Sequence, residues 1–408
     1  MHVRCIVGLL RPQLAEGGEM PDLGLDAIAL TRQLIRMDTV NPPGNEHGLA
    51  HFLGELLETA GFAVAYHSFK PARTSLVARF PFNHTSNPIC FSGHLDTVPL
   101  GSAEWDMAPH GAEIIDDRLY GRGSSDMKAG ISAFVAAALD HVRRAPRAAN
   151  LVLVLTASEE TGCQGANHLA ETEGALGEAG AIVIGEPTAN YPMVAHKGVM
   201  WLRARTRGVT AHGSMPEFGV NAIYRARRLI EKLEKFRFNG LTHELLGSPT
   251  LSIGTMRSGD NINSVPDLAE LGIDIRTIPG IDNGELREQL IGHLAPELAD
   301  LEGIIDIEPL YTSPDLPWVQ RVYQIVTPII GLRPEPRGAS YFTDACALKR
   351  VYRDAPTLIL GPGDPAQAHQ SNEFCLVSRI IQAVEIYGAL MRDWCCASHD
   401  NVVPVAMN

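Results

Sequence analysis

Leu151-Val152-Leu153-Val154-Leu155-Thr156 carries no polar side chain until its last residue. A strand with one wet face alternates apolar and polar residues; one without alternation is covered on both faces, inside a sheet flanked by helices. Ala181–Ile184 repeats the pattern, and alanine-rich 129–142 reads as a helix. Upstream, helical spacing over 23–37 and 49–57 is stopped by Asn41-Pro42-Pro43-Gly44 and by Gly61. Strand-like runs follow at 62–66, 76–80 and 89–92. Strands alternating with helices predict an α/β domain with a mostly parallel sheet, whose sites gather at the carboxyl ends of its strands.

After Lys197 the texture changes. Residues 199–207 alternate, with Met200, Leu202 and Ala204 set against Trp201, Arg203 and Arg205, as in a strand with one wet face. A charged helix over 221–236, strands at 251–256 and 269–275, a helix over 283–294 and a strand at 304–309 complete a β-α-β-β-α-β order, the ferredoxin-like pattern. Buried-looking segments then return: helix 318–329, strand 357–360 and helix 377–391. A chain of 408 residues exceeds a single core. The expected organisation is an α/β catalytic domain over 1–196 and 313–408, with an α+β domain inserted at 197–312. Residues 1–20, where the apolar run from Cys5 to Leu10 is stopped by Arg11-Pro12, read as a poorly ordered extension, with the domain starting near Pro21.

A formal net charge of -13 argues against a nucleic-acid surface and for a cytoplasmic protein. The seven cysteines form no C-x-x-C pair and read as reduced thiols.

Five short islands then stand out: Ser92-Gly93-His94-Leu95-Asp96, Gly123-Ser124-Ser125-Asp126, Ser158-Glu159-Glu160, Ile184-Gly185-Glu186 and Ala368-His369. Four lie at or close behind strand-like runs; Asp126 precedes the alanine-rich helix. Asp96, on the same face of an extended chain as His94, could hold the far nitrogen of a ligating imidazole. Asp126 reads either as an ordinary helix N-cap or as a carboxylate bridging two cations. The glycine-rich turn before it departs from G-x-G-x-x-G, because Asp126 holds the last glycine's place, so a dinucleotide role is poor. In extended chain Glu159 and Glu160 point opposite ways, which suits one ligand and one general base, or a solvated acidic loop. Glu186 is a lone carboxylate at a strand end, and His369 is one of fifteen histidines. Gathered at one sheet end, these groups would form a carboxylate-rich centre for two cations, suited to hydrolysis.

The series Ser92-Gly93-His94-Leu95-Asp96-Thr97-Val98-Pro99, Gly121-Arg122-Gly123-Ser124-Ser125-Asp126-Met127-Lys128, Glu159-Glu160-Thr161-Gly162, Gly185-Glu186-Pro187-Thr188 and His369-Gln370 resembles the M20 metallopeptidases. That family includes acetylornithine deacetylase, succinyl-diaminopimelate desuccinylase and aminoacylase, and the resemblance runs from about Leu25 to about Leu390. It implies a zinc-peptidase-like catalytic domain and an inserted lid and dimerisation domain. It further implies two zinc ions, with cobalt or manganese as substitutes, bridged by Asp126. His94 and Glu186 would complete one site, and Glu160 and His369 the other. Glu159 would serve as general base and acid, with Asp96 behind His94. Ala211-His212-Gly213-Ser214-Met215-Pro216 resembles the family's lid motif, which assigns His212 to the oxyanion, commonly across a homodimer. Asn263 and Arg276 match the family's substrate-binding pair, and Thr343 lies in the loop that lines the substrate's far end. Departures occur at Gly213, Thr255, Ser371 and Cys346; the last stands where deacetylases and desuccinylases often carry arginine, which weakens an ornithine or diaminopimelate assignment. The resemblance implies cleavage of an N-acyl amino acid, with a dipeptidase or carboxypeptidase as the alternative and a silent binder of amino-acid derivatives as the third reading.

Overall fold

The computed structural model describes residues 26–80, 87–353 and 355–396. The expected extension over 1–20 and the start of the first helix lie outside them. The chain divides into two compact units. One comprises the residues up to Met193, Thr312–Glu335 and those from Thr343 onward; the other comprises Val194–Tyr311 with Pro336–Phe342.

The first unit is built on a six-stranded sheet in the order Ala63–Lys70, Arg73–Arg79, Leu151–Thr156, Ile89–His94, Ala181–Ile184, Thr357–Ile359. The last four strands are mutually parallel, and the first two join antiparallel at one side. Every residue of Leu151–Thr156 is buried, as its unbroken apolar run demands. Register then decides what meets at the sheet's end. His94 pairs with Thr156, and Ser92 pairs with Ile184. The Glu159-Glu160 turn, His94 and Glu186 therefore leave three neighbouring strands at one level.

Helix Ala129–Arg144 is buried along most of its length and closes against the sheet end. A Cβ on Gly130 would lie 2.1 Å from the Gly185 carbonyl oxygen, so only glycine permits this approach. Asp126 does not cap this helix: the N-cap is Lys128, and Asp126 and Met127 keep non-helical backbone. The carboxylate is thereby left free to turn elsewhere. Asp26, by contrast, caps helix Ala27–Arg36 by accepting from the Ile28 N–H at 2.9 Å. Helices Gln164–Glu171 and Ala345–Tyr352, eight residues each, escaped the sequence reading because two turns carry too few apolar positions to show a period.

The second unit carries an antiparallel sheet in the order Thr250–Ser258, Leu268–Thr277, Gly198–Arg207, Asp300–Ile307. Helices Ala222–Lys235 and Asn283–Leu294 cover one face, burying Met200, Leu202 and Ala204 with Leu229, Leu233 and Leu290. Order and connections together are ferredoxin-like. The unit begins at Val194 rather than 197 and takes in Pro336–Phe342 because Gly338–Ala339 pairs in parallel with Ala195–His196. No described helix is long and apolar enough to cross a membrane.

Candidate metal centre

Asp126 lies at the middle of the cluster, and its two oxygens face two different histidines. Oδ1 is 3.0 Å from His94 Nε2 and Oδ2 is 3.4 Å from His369 Nε2. Glu186 stands on the first side, 3.6 Å from His94 Nε2, and Glu160 on the second, 3.2 Å from His369 Nε2. His94, Asp126 and Glu186 thus offer three donor atoms within 4.8 Å of one another, as do Asp126, Glu160 and His369. Glu160 Oε1 is buried with no hydrogen-bond partner. An orphaned carboxylate oxygen beside two sets of imidazole and carboxylate donors fits divalent cations of the zinc, manganese or cobalt type.

Electrostatics point the same way. Burial and the charge of Asp126 raise the Glu160 carboxyl to about 7. Burial and Asp126, against the opposing His94, raise Glu186 to about 8. Hydrogen bonds to Asp126 and Glu160 raise His369 to about 10. Burial disfavours a charge on His94, yet the surrounding Glu186, Asp126 and Asp96 outweigh it and lift the imidazole well above its ordinary value. Burial would also raise Asp126, but its two histidines hold it well below the carboxylate range. Protons therefore stand where cations would neutralise the crowded carboxylates.

Glu159 is 4% exposed, so its carboxyl is cut off from bulk water; burial and the charges of Glu186 and Glu160 push it well above its ordinary value. Its Oε1 meets the Cys163 thiol at 4.0 Å. The two glutamates do not sit on extended chain: Ser158 takes a φ of 66°, turning the backbone sharply after the strand. Asp96 holds that turn, its carboxylate accepting from the Glu159 N–H at 3.0 Å and the Glu160 N–H at 3.3 Å. The His94 Nδ1 is nearer to the Asp96 carbonyl, at 3.0 Å, than to its carboxylate, at 3.5 Å. Asp96 thus serves the glutamate turn more directly than the imidazole.

Buried Asn41 donates to Asp96 Oδ2 at 2.8 Å and reaches Ser158 and Thr161 Oγ atoms at 3.3 and 3.1 Å. Sequence reading gave it only the part of a helix stop; the one signal was a polar residue beside two prolines. Asp344, which the sequence places beside Thr343 in the loop expected to line the substrate's far end, is buried and hydrogen-bonded to Thr156. Thr343 is fully buried and its Oγ accepts from the Ala345 N–H at 3.1 Å, the bond of a local turn.

His212, Asn263 and Arg276 belong to the second unit. His212 is exposed, with Nδ1 2.7 Å from Ser214 Oγ, and its backbone bridges to Ser264 beside the exposed Asn263. Arg276, at the end of strand Leu268–Thr277, is held by Asp274 through contacts of 2.9 and 3.1 Å.

Residues 90–393 match the model of peptidase family M20/M25/M40. The chain is 31% identical over 365 residues to an acetylornithine deacetylase of Vibrio cholerae serotype O1, spanning 86% of this chain and 92% of that protein. Among solved structures, an M20 family metallo-carboxypeptidase from Sulfolobus solfataricus aligns with a TM-score of 0.76 at 17% identity, over 91% of this chain and 100% of that one. A tripeptidase from Staphylococcus aureus aligns with a TM-score of 0.71 at 20% identity, over 92% and 99%. At these identities the two structures share the fold.

Proposed function

This chain belongs to peptidase family M20/M25/M40, and from that premise we propose a dinuclear zinc hydrolase that removes the acyl group of an N-acylated amino acid. The coarser statement is plain: it is a metal-dependent hydrolase of linear amide bonds, of a family engaged in amino-acid metabolism. The observation that carries the finer one is the placement of the Asp126 oxygens, 3.0 and 3.4 Å from two different histidines. His94, Asp126 and Glu186 would hold one cation, and Asp126, Glu160 and His369 the other.

Bound there, divalent cations supply Lewis acidity to a substrate carbonyl and lower the pKa of water beside them. Glu159 takes a proton from the attacking water. A C–O bond forms at the amide carbon, the C–N bond breaks, and Glu159 returns the proton to the leaving nitrogen. A buried carboxyl with a raised pKa suits both halves of that transfer. Asp96 positions Glu159 through its backbone N–H. We assign the second unit to substrate recognition and to pairing of two copies, as a lid. His212 donates to the developing oxyanion, and Asn263 and Arg276 take the substrate carboxylate, which suits a planar guanidinium. Thr343 shapes the far end of the site by fixing its local turn. Cys90, Cys163, Cys346 and Cys375 are free thiols, which suits a cytoplasmic enzyme.

The test is turnover of the zinc-loaded protein on N-acetyl, N-succinyl and N-formyl amino acids beside dipeptides. Cleavage of the N-acyl amino acids alone supports the proposal and identifies the acyl group. Cleavage of dipeptides alone replaces it with a peptidase reading, and inertness with cations bound removes it.

A further inference from the structure

Three of the chain segments that carry the clustered side chains, residues 92–99, 121–128 and 369–370, touch one buried ion pair. Arg122 and Glu373, 251 residues apart in sequence, meet at 2.7 Å, with side chains 1% and 0% exposed. A buried pair of this kind adds little net stability over an apolar pair of similar volume, so its position needs another account.

Glu373 spends both oxygens on the turn that ends in Asp126. Oε2 accepts from the Gly123 N–H at 2.9 Å, and Oε1 from the Ser125 and Asp126 N–H groups at 2.8 and 3.0 Å. Together with the guanidinium these donors fill the acceptor sites of one carboxylate. Arg122 reaches outward in two further directions. Its Nη1 donates to the Gln370 carbonyl at 3.2 Å, beside His369, and its Nη2 to the Pro99 carbonyl at 3.1 Å, just past the His94–Asp96 turn. The pair thus grips at once the turn that ends in Asp126, the residue after His369, and Pro99 at the end of the segment that carries His94.

We infer that the Arg122–Glu373 pair positions Asp126 between His94 and His369 and so sets the spacing of the two cation sites. It acts through Asp126 and offers no ligand atom of its own. The inference rests on the reading of the cluster as a two-cation centre. The residue types follow from the task. A glutamine at 373 would keep one acceptor oxygen and turn an NH2 group on backbone N–H donors. A lysine at 122 would keep the charge and lose the fork that reaches two carbonyls.

Metal-free wild type, Glu373→Gln and Arg122→Lys are titrated with Zn2+ by calorimetry, with circular dichroism and thermal melts of the same samples. The expected result is two Zn2+ per wild-type chain, and a Glu373→Gln protein that keeps its spectrum but binds about 10- to 100-fold more weakly. A smaller loss is expected for Arg122→Lys. A folded Glu373→Gln that binds two Zn2+ with wild-type affinity overturns the inference, even if its melting temperature falls, and leaves the two-cation reading intact. A wild type that binds fewer than two overturns both. Where Glu373→Gln does not fold, Arg122→Lys decides: affinity within about threefold of wild type overturns the inference, and any greater loss supports it.

Discussion

Glu159→Gln separates the proton-transfer role from metal binding in a single isosteric change. The side chain is 4% exposed and meets the Cys163 thiol at 4.0 Å, so glutamine fills the same space. It also removes a carboxyl whose ionisation burial, Glu186 and Glu160 already oppose, which relieves repulsion in the metal-free protein. Folding should therefore be unharmed, and cation affinity should fall little, since Glu159 belongs to neither group of donor atoms. What is lost is the proton carrier. General acid–base catalysis contributes about 100- to 10,000-fold, which is about 3–5 kcal/mol of barrier. The assay is steady-state hydrolysis of the best N-acyl substrate by zinc-loaded wild type and variant, with zinc content and melting temperature measured on the same preparations. The expected result is turnover down by at least 100-fold at equal zinc content. Glu160→Ala, by contrast, should lose zinc. Glu159→Gln turning over within tenfold of wild type would refute the assignment, and loss of zinc from it would move Glu159 among the ligands.

Four further outcomes are expected. Because Glu160 and Glu186 are raised to about 7 and about 8 and His369 to about 10, all three hold protons near pH 6, and cations must expel them. Zinc affinity should rise with pH across that range, with proton release visible as a buffer-dependent heat; a pH-independent affinity contradicts this. The same raised values mean that folding binds protons, so the metal-free protein should lose stability as pH rises from about 6 to about 9, read as a falling melting temperature. Substituting His212 with alanine should cut turnover with zinc content intact, and unchanged turnover removes His212 from the chemistry. Gly130→Ala places a Cβ 2.1 Å from the Gly185 oxygen and should cost about 1–3 kcal/mol by denaturant melt, with weakened zinc binding through Glu186; a neutral result contradicts the close helix–sheet contact.

The parts of this molecule that were legible in its sequence share one property: they act where they stand. Leu151–Thr156 is buried on both faces because each of its residues is apolar, and the run says so unaided. His94 and Glu186 each follow a strand closely, so a local pattern of strand then metal-loving side chain marks them, and a parallel register brings them level. The inserted sheet announced itself through alternation at Met200, Leu202 and Ala204, whose buried faces the helices Ala222–Lys235 and Asn283–Leu294 cover. What local pattern could not decide was backbone direction over a few residues. Asp126 stands where an N-cap would stand, and only its non-helical backbone turns the carboxylate to the histidines. Glu159 and Glu160 were expected to diverge on extended chain, and a single left-handed residue, Ser158, sets them instead.

Asn41, Arg122 and Glu373 were illegible for a different reason. Their partners lie 55, 117 and 251 residues away, and no feature of the neighbouring sequence distinguishes an asparagine beside a turn from one that fastens the buried carboxylate of Asp96. Such residues become readable only after the sheet order has brought the loops together. This division has a physical cause. His94 and Glu186 are aimed from the ends of rigid strands, which leave a periodic trace in the sequence. The group that steadies the ligand needs only to be near in space, and a chain can supply it from anywhere that the fold returns. Here Arg122 and Glu373 hold the turn that carries Asp126, and Asn41 holds Asp96 behind the glutamate turn. The residues hardest to read from the sequence are therefore the ones that fix the backbone from which the donor side chains project.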